Sequence, residues 1–536
     1  MQIIFIQYIY LVLIILALVM LANKIRVAYP IILVLGGLAL SLFSILSKIT
    51  IDPELIFFIF LPPLLYEAAW QVSWKEFWKW RRVITSFAFP VVILTSCVVA
   101  FASYAFIPGF TLALGFLLGG IVSPPDAISA TTIMRQVKIP KAYVSIVEGE
   151  SLLNDASSLV VFRFALIAVI TGQFDFGKAT INFLLVIVMG ALIGLAIALL
   201  LYFVHRYLIK SPNIEIVLTL VTPYMMYYFA ERFHFSGVLA VVCGGLFLSS
   251  RRQTMLTYKS RLQGFNVWSN LVFALNGLVF LLIGLQLPSI IQQLGDTSLP
   301  RAIWYGLAIS FVLIIARFLC TFGAAIFTRF ISRYITVADA NPGWKGPIIL
   351  GWSGMRGVVS LAMALSIPLL LANGQAFPFR NLILFITFIV ILVTLVCQGL
   401  TLAWIIKKIK PEQGRFNTIT QQEQEFIIQK KIAKAALQLL DEKFDGERQQ
   451  NERVKNLFAR LQLDLNFFQQ DVNELVNLPD NKLNQFQRIY LEILESQREM
   501  LTAMNQRDEY DEDLIRKYLS LIDMEEFKVR EKRVQN

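Results

Sequence analysis

Charged side chains, histidine and cysteine are all scarce in this chain of 536 residues. Asp, Glu, Lys and Arg make up 16% of it and hydrophobic residues 57%, whereas a soluble domain carries about 25% charge. Two histidines occur, His205 and His234, and the four cysteines lie singly in apolar runs without metal-ligand spacing. These absences exclude a soluble globule and argue against a histidine-built centre or a disulfide framework.

The net charge of +11 divides into two parts of opposite sign. Residues 1–410 hold 29 basic and 13 acidic side chains, whereas residues 411–536 hold 19 basic and 24 acidic ones. We therefore predict two domains, a transmembrane domain over 1–410 and a cytoplasmic tail over 411–536. Because the positive charge belongs to the apolar part, it indicates membrane topology and not a nucleic-acid partner.

Apolar windows of about 17 to 25 residues are long enough to cross a bilayer as helices. Thirteen such windows predict an all-α polytopic membrane protein with its termini on opposite sides. They cover residues 2–22, 28–47, 53–70, 83–107, 111–135, 146–171, 179–205, 213–230, 235–250, 264–287, 302–328, 346–372 and 379–407. The first window lacks the basic segment and cleavage site of a signal peptide, so we interpret it as a retained span.

Loops that are rich in lysine and arginine alternate along the chain with loops that hold few of them. The odd-numbered loops hold eighteen of them and the even-numbered loops five. Since basic residues accumulate in short cytoplasmic loops, we expect the N-terminus outside, the C-terminus in the cytoplasm, and the protein in the cell (plasma or inner) membrane.

The tail after Lys410 is rich in Gln, Glu and Lys, with apolar residues such as Ile427, Leu437 and Leu440 at helical spacing. This pattern predicts a set of amphipathic helices. We expect the helices to pack on each other with a solvated face; the alternative is that the tail binds a regulator of the membrane part.

The densest group of acids at predicted membrane depth is Glu148-Gly-Glu-Ser-Leu-Leu-Asn-Asp155. Residues four apart lie about 40° apart around a helix, so Glu150, Ser151, Asn154 and Asp155 share one face. That face offers hard oxygen ligands, which suit a small hard cation and not copper or zinc. Ionisable groups at membrane depth are functional candidates. The alternative is a polar packing seam between helices.

Two predicted spans carry helix-breaking residues. Ser123-Pro-Pro-Asp126 interrupts the fifth span, and Gly351-Trp-Ser-Gly-Met-Arg-Gly357 interrupts the twelfth. Proline removes backbone donors and frees carbonyls to face a cavity. Two interrupted spans of opposite direction, one in each half, are typical of an inverted-repeat secondary transporter with its site where the broken helices cross.

Four motifs together resemble the sodium/proton exchangers of the first monovalent cation:proton antiporter family. They are Leu61-Pro-Pro-Leu-Leu-Tyr-Glu67, Ser123-Pro-x-Asp126, the acidic run ending at Asp155, and Gly354-x-Arg-Gly357. The resemblance covers essentially residues 1–410. The resemblance implies a homodimer in lipid, with thirteen helices per protomer and crossed broken helices. No cofactor is implied beyond the transported sodium (or lithium or potassium) and protons.

The resemblance also implies roles for individual residues. The cation would bind Asp155, Glu150 and Ser151, with a backbone carbonyl from the broken helix, for which Pro125 is the candidate. Asn154 and Arg356 would organise this cluster, with Arg356 pairing with Glu150. The family commonly has Thr-Asp-Pro where this chain has Pro125-Asp126-Ala127. Because Pro125 stands where the family has threonine, the threonine hydroxyl is absent, and the affinity or selectivity for the ion can differ from that of the family.

Exchange requires that Asp155 hold either a proton or a cation but never both. A carboxyl buried at low dielectric holds its proton more readily than one in water, and an empty, ionised site would be costly to move across the barrier. Since Asn154 leaves one exchanging carboxylate in the Asn-Asp pair, the resemblance implies electroneutral one-for-one exchange.

Other ionisable residues have less specific interpretations. Glu148 and Glu67 are candidates for an ion entrance or a pH sensor, and the alternative for each is a solvated helix end. We expect Asp126 to stabilise the broken helix ends through their dipoles; the alternative is that it lines the ion path. Arg163 and Arg317 are interpreted as structural counter-charges whose partners the sequence does not identify.

Competing functions are an intramembrane protease and a cation channel. Gly351-Trp-Ser-Gly354 matches the Gly-x-Ser-Gly of intramembrane serine proteases, but such catalysis needs a base near the serine, and both histidines lie at predicted helix ends. A channel is disfavoured because a single asymmetric site suits alternating access better than rings of ligands. A potassium/proton antiporter is the remaining alternative to sodium/proton exchange.

Overall fold

The computed structural model describes residues 2–41, 56–137, 139–172, 176–294, 297–334, 343–371, 374–411, 421–444, 451–469, 480–505, 518–519 and 521–526. Within them, regular structure is helical apart from one bridge between Leu370 and Ala376. The chain divides into two compact units, Met1–Glu412 and Gln413–Asn536. Parts of the predicted second and third spans, at residues 42–55, and parts of the predicted tail lie outside the described residues.

The first unit is a bundle of helices, and each predicted span overlaps at least one of them. The α-helices are Gln2–Ile25, Tyr29–Ser41, Leu61–Gln71, Trp74–Ser86, Val92–Phe106, Leu112–Val122, Ala127–Gln136, Lys141–Thr171, Phe176–Phe203, Pro212–Arg232, Gly237–Met255, Tyr258–Leu285, Leu287–Gln292, Leu299–Ile331, Lys345–Trp352, Val358–Leu365, Arg380–Val393 and Gly399–Ile409. Short π-helical turns occur at Ile56–Phe60, Phe87–Val91, Val204–Leu208 and Thr394–Gln398.

Local sequence explains where several helices begin or bend. Hydroxyl side chains cap several of them: Thr111 accepts from Leu114 N at 3.3 Å, and Ser236 and Thr257 cap the helices that follow them. Such caps satisfy backbone donors that have no partner within the helix. Pro90, which has no backbone N–H to donate, lies in the π turn Phe87–Val91. This turn accommodates the proline and joins two helices without a break.

Seven helical stretches of the described chain are long and apolar enough to cross a bilayer. They include Lys141–Thr171, Ile181–Leu208 and Leu299–Ile331. The stretch Ile181–Leu208 exposes large apolar side chains, among them Ile181 and Leu192, as expected where lipid replaces water as the solvent. A multi-pass membrane protein is therefore confirmed, whereas the count of thirteen crossings stays a prediction.

Two hydrophobic cores fill the first unit. The larger contains Leu117, Ile349 and Phe385, and the smaller contains Tyr66, Met226 and Leu246. The helix Lys141–Thr171 contributes to both, through Phe162 to the larger and through Leu152 to the smaller. This helix, which we call the acidic helix, carries the predicted ion ligands at the boundary between the two cores.

The second unit contains the helices Gln421–Lys443, Glu452–Gln469 and Asp480–Asn505. Ala433 and Leu437 are buried in the first of them and Leu494 in the third. Arg498 contacts Glu495, and its Nη2 donates to Asp523 at 2.9 Å and to Glu526. Buried apolar residues on one face and ion pairs at the surface are the arrangement that the amphipathic spacing predicts.

Candidate ion-binding site

Broken helix A consists of Leu112–Val122 and Ala127–Gln136, with an interruption at residues 123–126. The break coincides with Pro124 and Pro125, as predicted. Asp126 caps the second half: its carboxylate accepts from Ile128 N at 3.2 Å, Ser129 N at 3.4 Å and Ser129 Oγ at 2.8 Å. A carboxylate at a helix N-terminus is favoured by the helix dipole, so the structural role expected for Asp126 matches this geometry.

Broken helix B consists of Lys345–Trp352 and Val358–Leu365, with an interruption at residues 353–357. The two interruptions lie against each other, because Asp126 N donates to Met355 O at 2.6 Å. Gly357 permits this approach: a Cβ at that position would lie 2.8 Å from the Asp126 carboxylate. The breaks read from proline and glycine in the sequence thus meet in the fold.

Arg356 satisfies the carbonyls that these interruptions leave free. Its side chain is fully buried, and its guanidinium donates to Val122 O at 2.9 Å, to Ser123 O at 3.3 Å and to Gly354 O. Its backbone N–H donates to Thr394 Oγ1 at 3.1 Å. Arg356 therefore connects both broken helices and the last membrane helix.

Glu150 pairs with Arg317 and not with Arg356, which corrects the pairing implied by the family resemblance. Arg317 reaches from the helix Leu299–Ile331, and both of its Nη atoms contact the two carboxylate oxygens of Glu150, one pair at 2.8 Å. The two side chains are 1% and 2% exposed. The reason is that the guanidinium of Arg356 is already engaged by backbone carbonyls, which leaves Glu150 to the other buried arginine.

Asn154 connects the acidic helix to broken helix A. Its Nδ2 donates to Pro125 O at 3.0 Å, and its side chain is fully buried. The two elements also pack closely at Gly120, where a Cβ would lie 2.9 Å from Phe162 N. Because a carbonyl oxygen has two lone pairs, Pro125 O keeps one acceptor position while it bonds to Asn154.

A cavity of about 310 Å³ lies beside these elements. Its lining brings together the predicted residues Asp155, Ser151, Pro125 and Asp126, and also Glu148 and Glu67, whereas Glu150 and Arg356 are not part of it. Asp155 is 6% exposed, and its carboxylate accepts no hydrogen bond from the residues that the structure describes. It is therefore the buried acid in this cavity that no other side chain engages.

Glu148 and Glu67 line the same cavity nearer the ends of their helices. Glu148 pairs with Arg135 at 2.7 Å, where the arginine side chain is 59% exposed. Glu67 accepts from Gln71 one turn later on its helix. Both acids are thus held by neighbouring side chains.

Sequence reasoning missed three features of the site. It treated Arg135 only as a topology signal, it left Arg317 without a partner, and it did not single out Tyr29 and Asn276, which also line the cavity. The second could have been found, because an arginine at membrane depth on a span without acids must find its carboxylate on another helix. Arg163, which lies on the acidic helix itself, also pairs with a carboxylate of another helix, that of Glu231 at 2.7 Å.

The chain is similar to known ion-exchange proteins over most of its length. Residues 10–408 match the sequence model of the family described as sodium/hydrogen exchanger, transmembrane. A sodium, potassium, lithium and rubidium/H⁺ antiporter of Bacillus pumilus is 34% identical over 74% of this chain and 61% of its own length. The chain thus spans less than two thirds of that relative.

Two further proteins extend the comparison. The low-affinity Na⁺/H⁺ antiporter NhaS1 of Synechocystis is 33% identical over 71% of this chain and 69% of its own length. The solved structure of the sodium proton antiporter MjNhaP1 from Methanocaldococcus jannaschii superimposes with a TM-score of 0.57 at 16% identity, covering 76% of this chain and all of that one. At this identity the structural match establishes the fold alone.

Proposed function

Because the chain belongs to the sodium/hydrogen exchanger family, we propose that it is a secondary antiporter that exchanges sodium, or lithium, for protons. The names of its relatives in Synechocystis and Bacillus support this proposal. The Bacillus name includes potassium, which favours potassium/proton exchange as the second candidate.

The observation that carries the proposal is the unengaged carboxylate of Asp155 in the cavity. A buried carboxylate without a hydrogen-bond donor is stable only when a proton or a cation neutralises it. Since both occupants need the same oxygens, they exclude each other. Empty and ionised, the site is too costly to carry across the barrier, so only loaded forms move, and this restriction couples the two fluxes.

The contacts support a ligand set of Asp155, Ser151 and the Pro125 carbonyl, completed by water. Glu150 is a less suitable ligand than the family resemblance implies, because Arg317 engages both of its oxygens. We assign Glu150, with Asn154, Arg356 and Asp126, to holding the helices that carry the ligands. Since Pro125 contributes no hydroxyl, its carbonyl is the group through which the broken helix acts on the ion.

Stoichiometry and access follow from neighbouring residues. Asn154 leaves Asp155 as the one exchanging carboxylate of the pair, which favours electroneutral one-for-one exchange. Glu148 and Glu67 form the ion entrance. There, Glu148 releases Arg135 when it binds an incoming cation. This arrangement would make entrance sensitive to the protonation of either acid.

The remaining proposals concern the whole chain in its membrane. We propose about thirteen crossings with inverted repeats, the N-terminus outside and the tail from residue 411 in the cytoplasm of a cell with this protein in its plasma membrane. We further propose a homodimer, and a tail whose amphipathic helices pack on each other with a solvated face; binding of a regulator by the tail is the alternative. The protein acts as a transporter and not as an enzyme.

Dye measurements in everted vesicles test the central role of Asp155. Wild-type protein should give a sodium-driven recovery of a pH-sensitive dye, and Asp155→Asn should abolish it, because an amide cannot trade a proton for a cation. Glu76→Gln, an acid-to-amide change on the helix Trp74–Ser86 outside the cavity lining, serves as the control and should keep wild-type recovery.

Each result bears on a different part of the proposal. Sodium-driven recovery in Asp155→Asn would refute the assignment of Asp155. Recovery with potassium but not sodium in the wild type would select the second candidate. A conductance that saturates far above transporter rates would instead indicate a channel.

A further inference from the structure

The helical stretch Trp74–Phe106 is longer than one bilayer crossing needs. Its apolar part, residues 83–106, carries no charged side chain. At 1.5 Å per residue this part alone extends about 36 Å, which is enough for a hydrocarbon core of about 30 Å. The nine residues before it, 74–82, hold four basic side chains and one acidic one. This charged end therefore lies at the level of the lipid headgroups when the stretch crosses a bilayer.

One face of the charged end combines aromatic rings with cations. We call it the aromatic–basic face, and it consists of Trp74, Trp78 and Arg81 with Lys75 beside them. The rings of Trp74 and Trp78 stack with their centroids 5.9 Å apart, and the guanidinium of Arg81 lies 4.5 Å from the centroid of Trp78. Trp74 is 48% exposed, Trp78 is 55% exposed, and Lys75 is exposed as well. Exposed indole rings next to cations are typical of the membrane–water interface.

The positive charge of this face is not neutralised by the acid of the same helix. Glu76 lies about 160° from Trp74 around the helix, and its carboxylate accepts from Trp80 Nε1 at 3.2 Å. The guanidinium of Arg81 donates from Nη1 to Trp78 O at 2.6 Å. Because a guanidinium has five N–H donors, this bond leaves donors for an anion outside the protein.

The other side of the same stretch packs against the acidic helix at both ends of the predicted ion ligands. A Cβ at Gly149 would lie 2.5 Å from Ile84 Cδ1. Further along, Ser157 Oγ donates to Ala88 O at 2.5 Å. Since positions 149 and 157 bracket Glu150 and Asp155, a ligand that holds the charged end also holds an element that supports the ion site.

We propose that the aromatic–basic face binds the headgroup of an anionic phospholipid of the bilayer, and that this contact raises the rate of exchange. The phosphate accepts from Arg81 and Lys75, as cationic side chains favour, and the glycerol and acyl carbons lie along the indole rings. A bilayer lipid fits better than a free phosphate because only the lipid uses the apolar rings. The effect on rate rests on the proposed antiport function, whereas the binding does not.

The test uses full-length protein in phosphatidylcholine vesicles that contain increasing fractions of phosphatidylglycerol, with sodium-driven proton flux as the readout. The test variants are Arg81→Gln and the double variant Lys75→Gln with Arg81→Gln. The matched control is Lys24→Gln with Arg333→Gln, which removes the same charge from two exposed residues of other basic loops. Inorganic phosphate added to pure phosphatidylcholine vesicles tests the soluble anion.

Each basic residue near an anionic surface corresponds to about fivefold in binding. We therefore expect Arg81→Gln to raise the half-activating fraction of phosphatidylglycerol about fivefold, and the double variant to show no activation over the range that activates the wild type. In pure phosphatidylcholine both should equal the wild type, which shows that they fold. The control should respond to phosphatidylglycerol as the wild type does, and inorganic phosphate should not activate.

Two outcomes would overturn the inference. Equal responses of the two double variants to phosphatidylglycerol would mean that bulk surface charge acts and not this face. Activation by inorganic phosphate alone would assign the face to a soluble anion.

A second readout separates this inference from the proposed function. Without any cation-driven flux in the wild type, antiport fails, and native mass spectrometry of the detergent-purified protein then decides the binding. Phosphatidylglycerol should stay bound to the wild type and the control and be lost from the variant that lacks Lys75 and Arg81. Equal retention by all three would reject the lipid site.

Discussion

The four buried ionisable side chains around the site differ in how they are neutralised. Glu150 and Arg317 neutralise each other, Arg356 is surrounded by carbonyls, and the carboxylate of Asp155 has no protein partner in the described chain. Removing one member of a buried pair is far more destabilising than replacing both. At the scale of residues, three of these charges are engaged within the protein, and under the proposed function the carboxylate of Asp155 is the one that exchanges.

Arg317→Met tests the holding role of the buried pair. The substitution strands Glu150 in a site that is 1% exposed, so we expect a loss of about 3–5 kcal/mol in unfolding free energy. The double variant Arg317→Met with Glu150→Gln should recover most of that loss, because no buried charge remains unpaired. Thermal unfolding in detergent measures both. Equal unfolding temperatures for the single and double variants would contradict a direct pair.

At the scale of elements, the site depends on two interruptions that support each other. Arg356 in the second break donates to carbonyls of the first, and Asp126 in the first donates to a carbonyl of the second. Arg356→Ala should disrupt the core, because it leaves the carbonyls of Val122 and Ser123 without their donor; Glu150 keeps its partner Arg317. Neither broken helix has this geometry alone.

Gly357→Ala tests the contact between the interruptions. Its Cβ would lie 2.8 Å from the Asp126 carboxylate, so the two breaks must separate, and we expect about 1–3 kcal/mol of destabilisation together with loss of exchange. The matched control is Gly323→Ala, because a Cβ there meets no atom within 4 Å. Unfolding temperature and dye recovery measure the two effects. Wild-type exchange in Gly357→Ala would mean that the breaks tolerate separation.

At the scale of the whole molecule, orientation in the membrane follows from loop charge. Lys210 lies in a basic loop and Arg232 in a loop of the other set, and both are exposed. The helix Pro212–Arg232 lies between them. If that helix crosses the bilayer as proposed, the two residues face opposite compartments.

Cysteine labelling tests this topology in a variant whose four native cysteines are replaced. In intact cells, a membrane-impermeant maleimide should label Arg232→Cys and not Lys210→Cys. Everted vesicles should reverse the pattern. Labelling of both positions from one side would remove a crossing and change the count of thirteen.

The sequence by itself determined the membrane class, the family and the two interruptions, and the match over residues 10–408 confirms the family. The role of the acid at position 155 stays a prediction. These features are encoded locally, in apolar runs, prolines, glycines and a short acidic motif. The tertiary structure alone decided which charges pair. Glu150 and Arg317 are 167 positions apart, and the two buried arginines, Arg317 and Arg356, carry the same charge. Glu150 pairs with Arg317 because backbone carbonyls at the helix breaks engage Arg356, and these carbonyls are exposed only in the folded protein.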